Sequence, residues 1–302
     1  MKKFEHMALI GCGLMGGSFA LAAKKAGLVK RVVGYSKSPS TTSRARQMGA
    51  IDEEASSALI AVSGADLVVL AIPVASTEPT LRTIKHLIQP DTLVMDVGST
   101  KVDVVNAARS TLKDRFGCFV PAHPITGKEV SGVEHADATL YKDAQVVLTP
   151  TELTKVAQLR NAEALWRGIG AHVTSMSPEM HDTALAASSH APHLIAMAFM
   201  NAILAQEDGH RILSLAGPGF RDFTRIAAGE PNMWRDIFMA NRNEVLKQVH
   251  YLQHVLGRYE AALMTDNTAA VEQLVRSASE TRAQWKPGKL YTPESLAKNK
   301  AA

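Results

Sequence analysis

The feature that most constrains this chain is an alternation that runs for more than half its length and then stops. Met7-Ala8-Leu9-Ile10, Arg31-Val32-Val33-Gly34-Tyr35, the stretch 66–72 and Thr92-Leu93-Val94-Met95-Asp96 have the length and apolar continuity of buried strands. The stretches 18–26, 41–48 and 76–88 between them carry helical spacing. Apolar strands that each feed a crossover helix predict a doubly wound parallel sheet, an α/β fold with helices on both faces. Phe119-Val120, Gln145 to Leu148 and His172-Val173 are expected to extend that sheet.

Beyond Ser175 the strand signals cease. Ser177-Pro178 opens a helix, with serine as cap and proline in the first turn, and an Ala- and Met-rich segment runs on to about Ala205. Further helices are expected over 220–228, 234–258 and 265–281, separated by Asp208-Gly209, Gly217-Pro218-Gly219 and Gly229-Glu230-Pro231. The chain thus reads as a sheet domain over residues 1–175, an all-helical domain over 176–285, and a polar, Lys- and Pro-containing tail over 286–302 expected to be loosely ordered. The weakly polar face at 185–204 suits either a core or a subunit contact.

A length of 302 residues, with 46% hydrophobic and 21% charged side chains, is enough for two cored domains. A net charge of +4 helps to attract anionic nucleotides and carboxylates. Nucleic acid is not an expected partner, because no Lys/Arg run interleaves with aromatics and aromatics make up only 5% of the chain. Lys2-Lys3 before an apolar stretch mimics a secretory leader, but Glu5, His6 and the glycines from Gly11 to Gly17 interrupt it. With no membrane-length apolar run, and with Cys12 and Cys118 read as free thiols, a cytoplasmic protein is expected.

Gly11-Cys12-Gly13-Leu14-Met15-Gly16 lies between the first strand and the first helix. In that setting the glycines supply a tight turn, close approach of backbone to a pyrophosphate, and close helix–strand contact, while the helix N-terminus offers free N–H groups. This is the Rossmann-type fingerprint of a nicotinamide dinucleotide site. The second strand ends in Gly34-Tyr35-Ser36-Lys37-Ser38, with Arg44 following, where an NAD site usually carries a carboxylate for the ribose. Hydroxyls and cations there predict NADP in preference to NAD.

Asp96-Val97-Gly98-Ser99-Thr100-Lys101 ends a strand on the edge where open α/β sheets bind ligands. His123 follows another strand, in Pro121-Ala122-His123-Pro124. An imidazole is suited to take a proton from an alcohol, although a loop histidine alone serves as readily in structure. His190 and His193 have metal-ligand spacing, but Pro192 between them and the lack of a neighbouring third ligand argue against a metal. His181, beside Glu179 and Asp182, reads as a solvated helix-start cluster.

Several separate motifs, in order, resemble the prephenate/arogenate (cyclohexadienyl) dehydrogenase family. They are Gly13 to Ser18, Gly98-Ser99-Thr100-Lys101, His123 through Glu129 to Ser131-Gly132, Leu148-Thr149-Pro150, Ser189-His190-Ala191-Pro192-His193, Phe223-Thr224-Arg225-Ile226-Ala227, and Met233-Trp234. The resemblance spans about residues 5 to 285. It implies that His123 accepts the proton of a ring hydroxyl as hydride leaves the same carbon, and that Ser99 shares that hydroxyl. It further implies that Arg225 binds a substrate carboxylate, that His193 lines the pocket and that Glu129 stands near its mouth. Decarboxylation driven by aromatisation would follow without a metal, in a homodimer. Two rival readings remain. A hydroxyacid dehydrogenase of the 6-phosphogluconate type would need a lysine early in the helical region, and 177–204 contains none. A nucleotide-sensing binding protein on the same fold would be favoured had His123 or Arg225 been replaced.

Overall fold

The computed structural model describes residues 2–128 and 130–286. Strand β1 (Phe4–Ile10) leads through the glycine turn into α1 (Leu14–Lys25). There follow β2 (Val29–Tyr35), α2 (Pro39–Gln47), a short β3 (Glu53–Glu54), α3 (Ala58–Val62), β4 (Leu67–Leu70), α4 (Thr77–Ile84), β5 (Leu93–Asp96), α5 (Val102–Leu112) and β6 (Phe119–Val120). These strands form a six-stranded sheet in the order β3-β2-β1-β4-β5-β6, parallel throughout. The order reverses between β1 and β4, and the crevice at that switch, beyond the carboxyl ends of the strands, is where such sheets take ligands.

Alternation along β1 builds both layers. Met7 and Leu9 enter a core with Phe19, Ala20 and Ala23 of α1 and with Trp166. Ala8 and Ile10 point the other way, into a core with Ala58, Leu81, Ile84, Val104 and Ala108 of α3, α4 and α5. Burial on both faces explains why the strands read as unbroken apolar runs.

One expectation fails here. Only Phe119-Val120 joins the parallel sheet. Ala122–Ile125 (β7), Gln145–Leu148 (β8) and His172–Ser175 (β9) form a separate three-stranded sheet, with β7 antiparallel and β9 parallel to β8. Pro121 is the break between β6 and β7, since it has no N–H for a ladder, and its carbonyl instead accepts from Thr149 N across the new sheet at 3.0 Å. Helix α6 (Val156–Gly168) packs against β5, β6 and β9 and buries Trp166.

The rest is helical, as expected: α7 (Pro178–Leu185), a π-turn over Ala186–His190, α8 (Ala191–Leu204), α9 (Gly209–Ser214), α10 (Pro218–Thr224), a 3-10 turn over Arg225–Ala228, α11 (Pro231–Ala240), α12 (Arg242–Met264) and α13 (Thr268–Gln284). The single helix expected over 234–258 is two, parted at Asn241, whose side chain is committed to buried partners described below. By their contacts the residues fall into two compact units, Met1–Val245 and Leu246–Ala302. Within the first, α7 rests on α5, and α11 rests on the 3-10 turn Val74–Ser76. Within the second, Asn267 Oδ1 caps α13 by accepting from Ala270 N at 3.0 Å. Apart from Lys286, the tail 286–302 lies outside the described residues. No described helix is long and apolar enough to cross a membrane.

Candidate active site

The glycine turn has the form its sequence demands. Gly11 adopts φ +94°, and a β-carbon there would run into the Ala71 carbonyl. A β-carbon on Gly16 would strike the Gly11 carbonyl, so that glycine lets α1 sit close to the strand end. Gly13 differs, because nothing lies within 4 Å of where its β-carbon would be. It is the N-cap of α1, with no side chain capping the helix and no acidic residue in the first turn at Leu14 and Met15. An uncapped helix start facing open space, with no side chain at Gly13 to fill it, fits a dinucleotide pyrophosphate. The turn is tied down around that opening. Gly11 N donates to Tyr35 O at 2.8 Å, Cys12 N donates to Ser36 Oγ at 2.8 Å, and the Tyr141 hydroxyl donates to Met15 O at 2.7 Å. Lys37, Ser38 and Arg44 are exposed beyond the end of β2. Ser38 Oγ pairs with Ser40 Oγ at 2.8 Å, and Glu54 of the edge strand pairs with Arg46 at 3.6 Å.

A second group of side chains gathers after β5. The Asp96 carboxylate turns back to accept from Gly98 N at 2.8 Å and from Ala122 N at 3.2 Å, and it forms a short ion pair with Lys101. Lys101 is wholly buried, and its ammonium also donates to Ala122 O at 2.8 Å. This pair staples the turn that carries Ser99 to the start of β7, which carries His123. The cost of burying the two groups this deeply is offset by their pairing with each other and by their hydrogen bonds to backbone.

His123 is 9% exposed. Its Nδ1 lies 2.8 Å from His181 Nε2, and His181 Nδ1 lies 2.7 Å from Asp182 Oδ1. Burial above all, then the neighbouring His181, Lys101 and His190, hold the His123 imidazole well below its usual pKa, so that it is neutral near physiological pH. The reading of His181 and Asp182 as solvated is therefore overturned: both are buried, while Glu179 alone is exposed. The signal was in the spacing. Pro178, His181, Asp182 and Leu185 recur at helical intervals, and together they form the buried face of α7.

The π-turn after α7 arises where Pro192 offers no N–H to the preceding turn and crowds the carbonyl four residues back. The widened turn leaves the Ser189 carbonyl to accept from His193 Nδ1 at 2.8 Å, and the His193 ring stacks on Trp234 with centroids 3.8 Å apart. His190 points elsewhere. Its Nδ1 faces Asn241 Nδ2 at 3.2 Å, and Asn241 Nδ2 also donates to Asp182 O at 2.7 Å. Burial, offset in part by Asp182, lowers His190 to a pKa of about 4. Its Nε2 is buried without a well-formed hydrogen bond among the described residues, close to the Ser99 backbone. The two histidines thus have separate partners, and no group of three metal-ligating side chains exists among the described residues. Arg225 is exposed at the start of its 3-10 turn, which packs against α8, the helix bearing His193. Glu129 lies outside the described residues.

Comparison with known proteins reaches both halves of this arrangement. The family profile "Prephenate dehydrogenase, nucleotide-binding domain" matches residues 19–175, and "Prephenate dehydrogenase, dimerization domain" matches 177–278. The prephenate dehydrogenase of Bacillus subtilis is 38% identical over 80% of this chain, and the match spans 66% of that protein's own length. The cyclohexadienyl dehydrogenase of Zymomonas mobilis is 34% identical over 90% of this chain and 91% of its own. Among solved structures, the prephenate dehydrogenase of Aquifex aeolicus, in complex with hydroxyphenyl propionate and NAD+, superposes with a TM-score of 0.85 at 33% identity, covering 93% of this chain and 96% of that one. Two adjoining family matches that between them take in the sheet region and the helices, and relatives alike over nearly the whole length, place this chain in the prephenate dehydrogenase family.

Proposed function

We propose that this chain catalyses the oxidative decarboxylation of prephenate, arogenate or both, with hydride passing to NAD(P), in the formation of tyrosine. The observation that carries the reading is His123. It is a buried imidazole kept neutral by its surroundings, one nitrogen already engaged and the other left to accept a proton. The dinucleotide, when bound, supplies the hydride acceptor. Gly11, Gly13 and Gly16, with the first-turn amides at Leu14 and Met15, hold its pyrophosphate. His123 takes the proton of the ring hydroxyl as hydride departs, and Ser99 shares that hydroxyl and keeps it in register. Arg225 receives a substrate carboxylate through its guanidinium fork, and His193 lines the pocket. The ring then loses carbon dioxide to become aromatic, which needs no metal.

The finer parts of the proposal rest on separate supports. NADP is preferred to NAD because Ser36, Lys37, Ser38 and Arg44 offer hydroxyls and cations to a 2′-phosphate, and Glu54 is engaged by Arg46. The division into a dinucleotide domain over 1–175 and a helical substrate and dimerisation domain over 176–285 is supported by the two profile matches. A homodimer is supported by the description of the second profile and by exposed Leu246, Tyr251, Val255, Leu256 and Leu263 along α12. A cytoplasmic location is supported by two free cysteines and by the absence of a membrane-length helix among the described residues.

The test is the initial rate of nicotinamide absorbance change with purified protein, crossing prephenate and arogenate against NAD and NADP. Turnover is expected, with higher kcat/KM for NADP. Silence in all four combinations from folded protein would overturn the reaction, and a higher value with NAD would overturn the cofactor preference alone.

A further inference from the structure

We infer that Asp182 and His181 are a positioning pair that presets His123 as the tautomer whose lone pair lies on Nε2. This rests on the reading of His123 as the base, and it says how the base is made ready. The argument begins at a helix start. Asp182 Oδ1 accepts from Lys101 N at 2.8 Å and Oδ2 accepts from Val102 N at 2.9 Å, so the carboxylate caps α5 where free N–H groups and the helix dipole favour an anion. A carboxylate can only accept. The proton in its 2.7 Å contact with His181 therefore belongs to His181 Nδ1. With that proton on Nδ1 and none on the other nitrogen, His181 presents a lone pair at Nε2, so the proton in the 2.8 Å contact with His123 belongs to His123 Nδ1. With one proton on each ring, the chain ends with an unprotonated Nε2 on His123.

The arrangement also receives the charge that catalysis creates. When the substrate O–H bond breaks and an Nε2–H bond forms, His123 becomes a cation. Its Nδ1–H still donates to His181, and the polarisation runs through that ring to the Asp182 carboxylate. An aspartate behind a histidine serves the same two ends in hydrolytic triads, with a single step between them. The other groups facing His123 do not compete. Lys101, from the turn before α5, is already paired with Asp96, and His190, from the π-turn, is held by Asn241. Asn241 further fixes the backbone of the pair, because it donates to the Asp182 carbonyl at 2.7 Å.

Histidine tautomers are read directly from long-range proton–nitrogen correlations of protein labelled with nitrogen-15 histidine, near neutral pH, with resonances assigned by loss in His123→Asn and His181→Phe. Both rings are expected as Nδ1–H, and either ring found as Nε2–H would overturn the inference whatever the activity. Kinetics give a second reading. His181→Phe keeps a flat aromatic ring, slightly larger, and removes both hydrogen bonds, and it should lower kcat about 100-fold while leaving the Kd for the dinucleotide unchanged. His181→Gln, whose amide can donate to Asp182 and accept from His123, should recover about tenfold of that loss. A folded His181→Phe protein turning over within about threefold of the parent, or a glutamine variant no better than the phenylalanine one, would mean the ring is only filler. Should the parent prove inactive on both substrates, the proposed reaction fails while the tautomer measurement still decides this inference.

Discussion

A histidine serves as a base only while it is neutral, and His123 meets that condition through where it is buried rather than through what it is. His123→Asn is expected to lower kcat by roughly two to four orders of magnitude with little change in dinucleotide affinity, because the glycine turn lies on a different strand. Arg225→Ala should instead act mainly on KM for the substrate, and steady-state kinetics on the two variants separate these effects. The same burial leaves a mark on stability. His190, His123 and His193 all have folded pKa values below the unfolded 6.5, so the unfolded chain binds protons that the folded chain refuses. Stability from these groups is complete above pH 6.5 and is lost as pH falls toward the folded value, about 4 for His190. For that residue alone the difference is on the order of 3 kcal/mol. Denaturant midpoints measured across this window should fall with acid, and His190→Gln should flatten the slope. A slope unchanged by that substitution would remove His190 from the account.

At the scale of elements, the glycine turn offers a contrast between substitutions at two positions, Gly11 and Gly13, with a single residue between them. Gly11→Ala places a β-carbon at positive φ and against the Ala71 carbonyl, and it should destabilise the fold by at least ~2 kcal/mol. Gly13→Ala meets no protein atom, so the thermal midpoint should hold while affinity for dinucleotide drops. Calorimetry with and without nucleotide distinguishes the two. Elements of this kind were legible in the sequence because each follows a local rule: a strand buried on both faces is a continuous apolar run, and a turn at positive φ needs glycine. The place of Ser99, just after β5, was legible for a similar reason, since an apolar run marks that strand end, whereas the roles given to Ser99, His123 and His193 belong to the proposal. What escaped was set by contacts distant in sequence. Nothing near Gln145 says that its strand pairs with Ala122–Ile125 instead of the parallel sheet. Asn241 parts two helices through partners 51 and 59 residues away. His181 and Asp182 are an intermediate case: their helical spacing with Leu185 was visible, but two polar residues near a helix start favour a solvated reading until α5 is seen above them.

For the molecule as a whole, the second compact unit poses a problem that its own residues do not solve. Leu246, Tyr251, Val255, Leu256, Leu263, Met264 and Val275 are all exposed in it, and a second copy of the chain is the partner the proposal names. Sedimentation should give twice the 32.5 kDa chain mass. The double variant Val255→Glu, Leu256→Glu should shift the protein toward monomer and lower its thermal midpoint, and an unchanged dimer would move the interface elsewhere. The three tryptophans are dispersed through the chain in a way that has a practical use. Trp166 is sealed in the sheet core and Trp285 is half exposed near the end of the described residues, whereas Trp234 lies flat against His193, a residue given to the substrate pocket. Imidazolium quenches indole emission more strongly than neutral imidazole, and a stacked ring cannot be displaced without altering that emission. Light from this one indole therefore registers the protonation and the displacement of His193, so that arrival at the site can be followed optically in a protein carrying no added label.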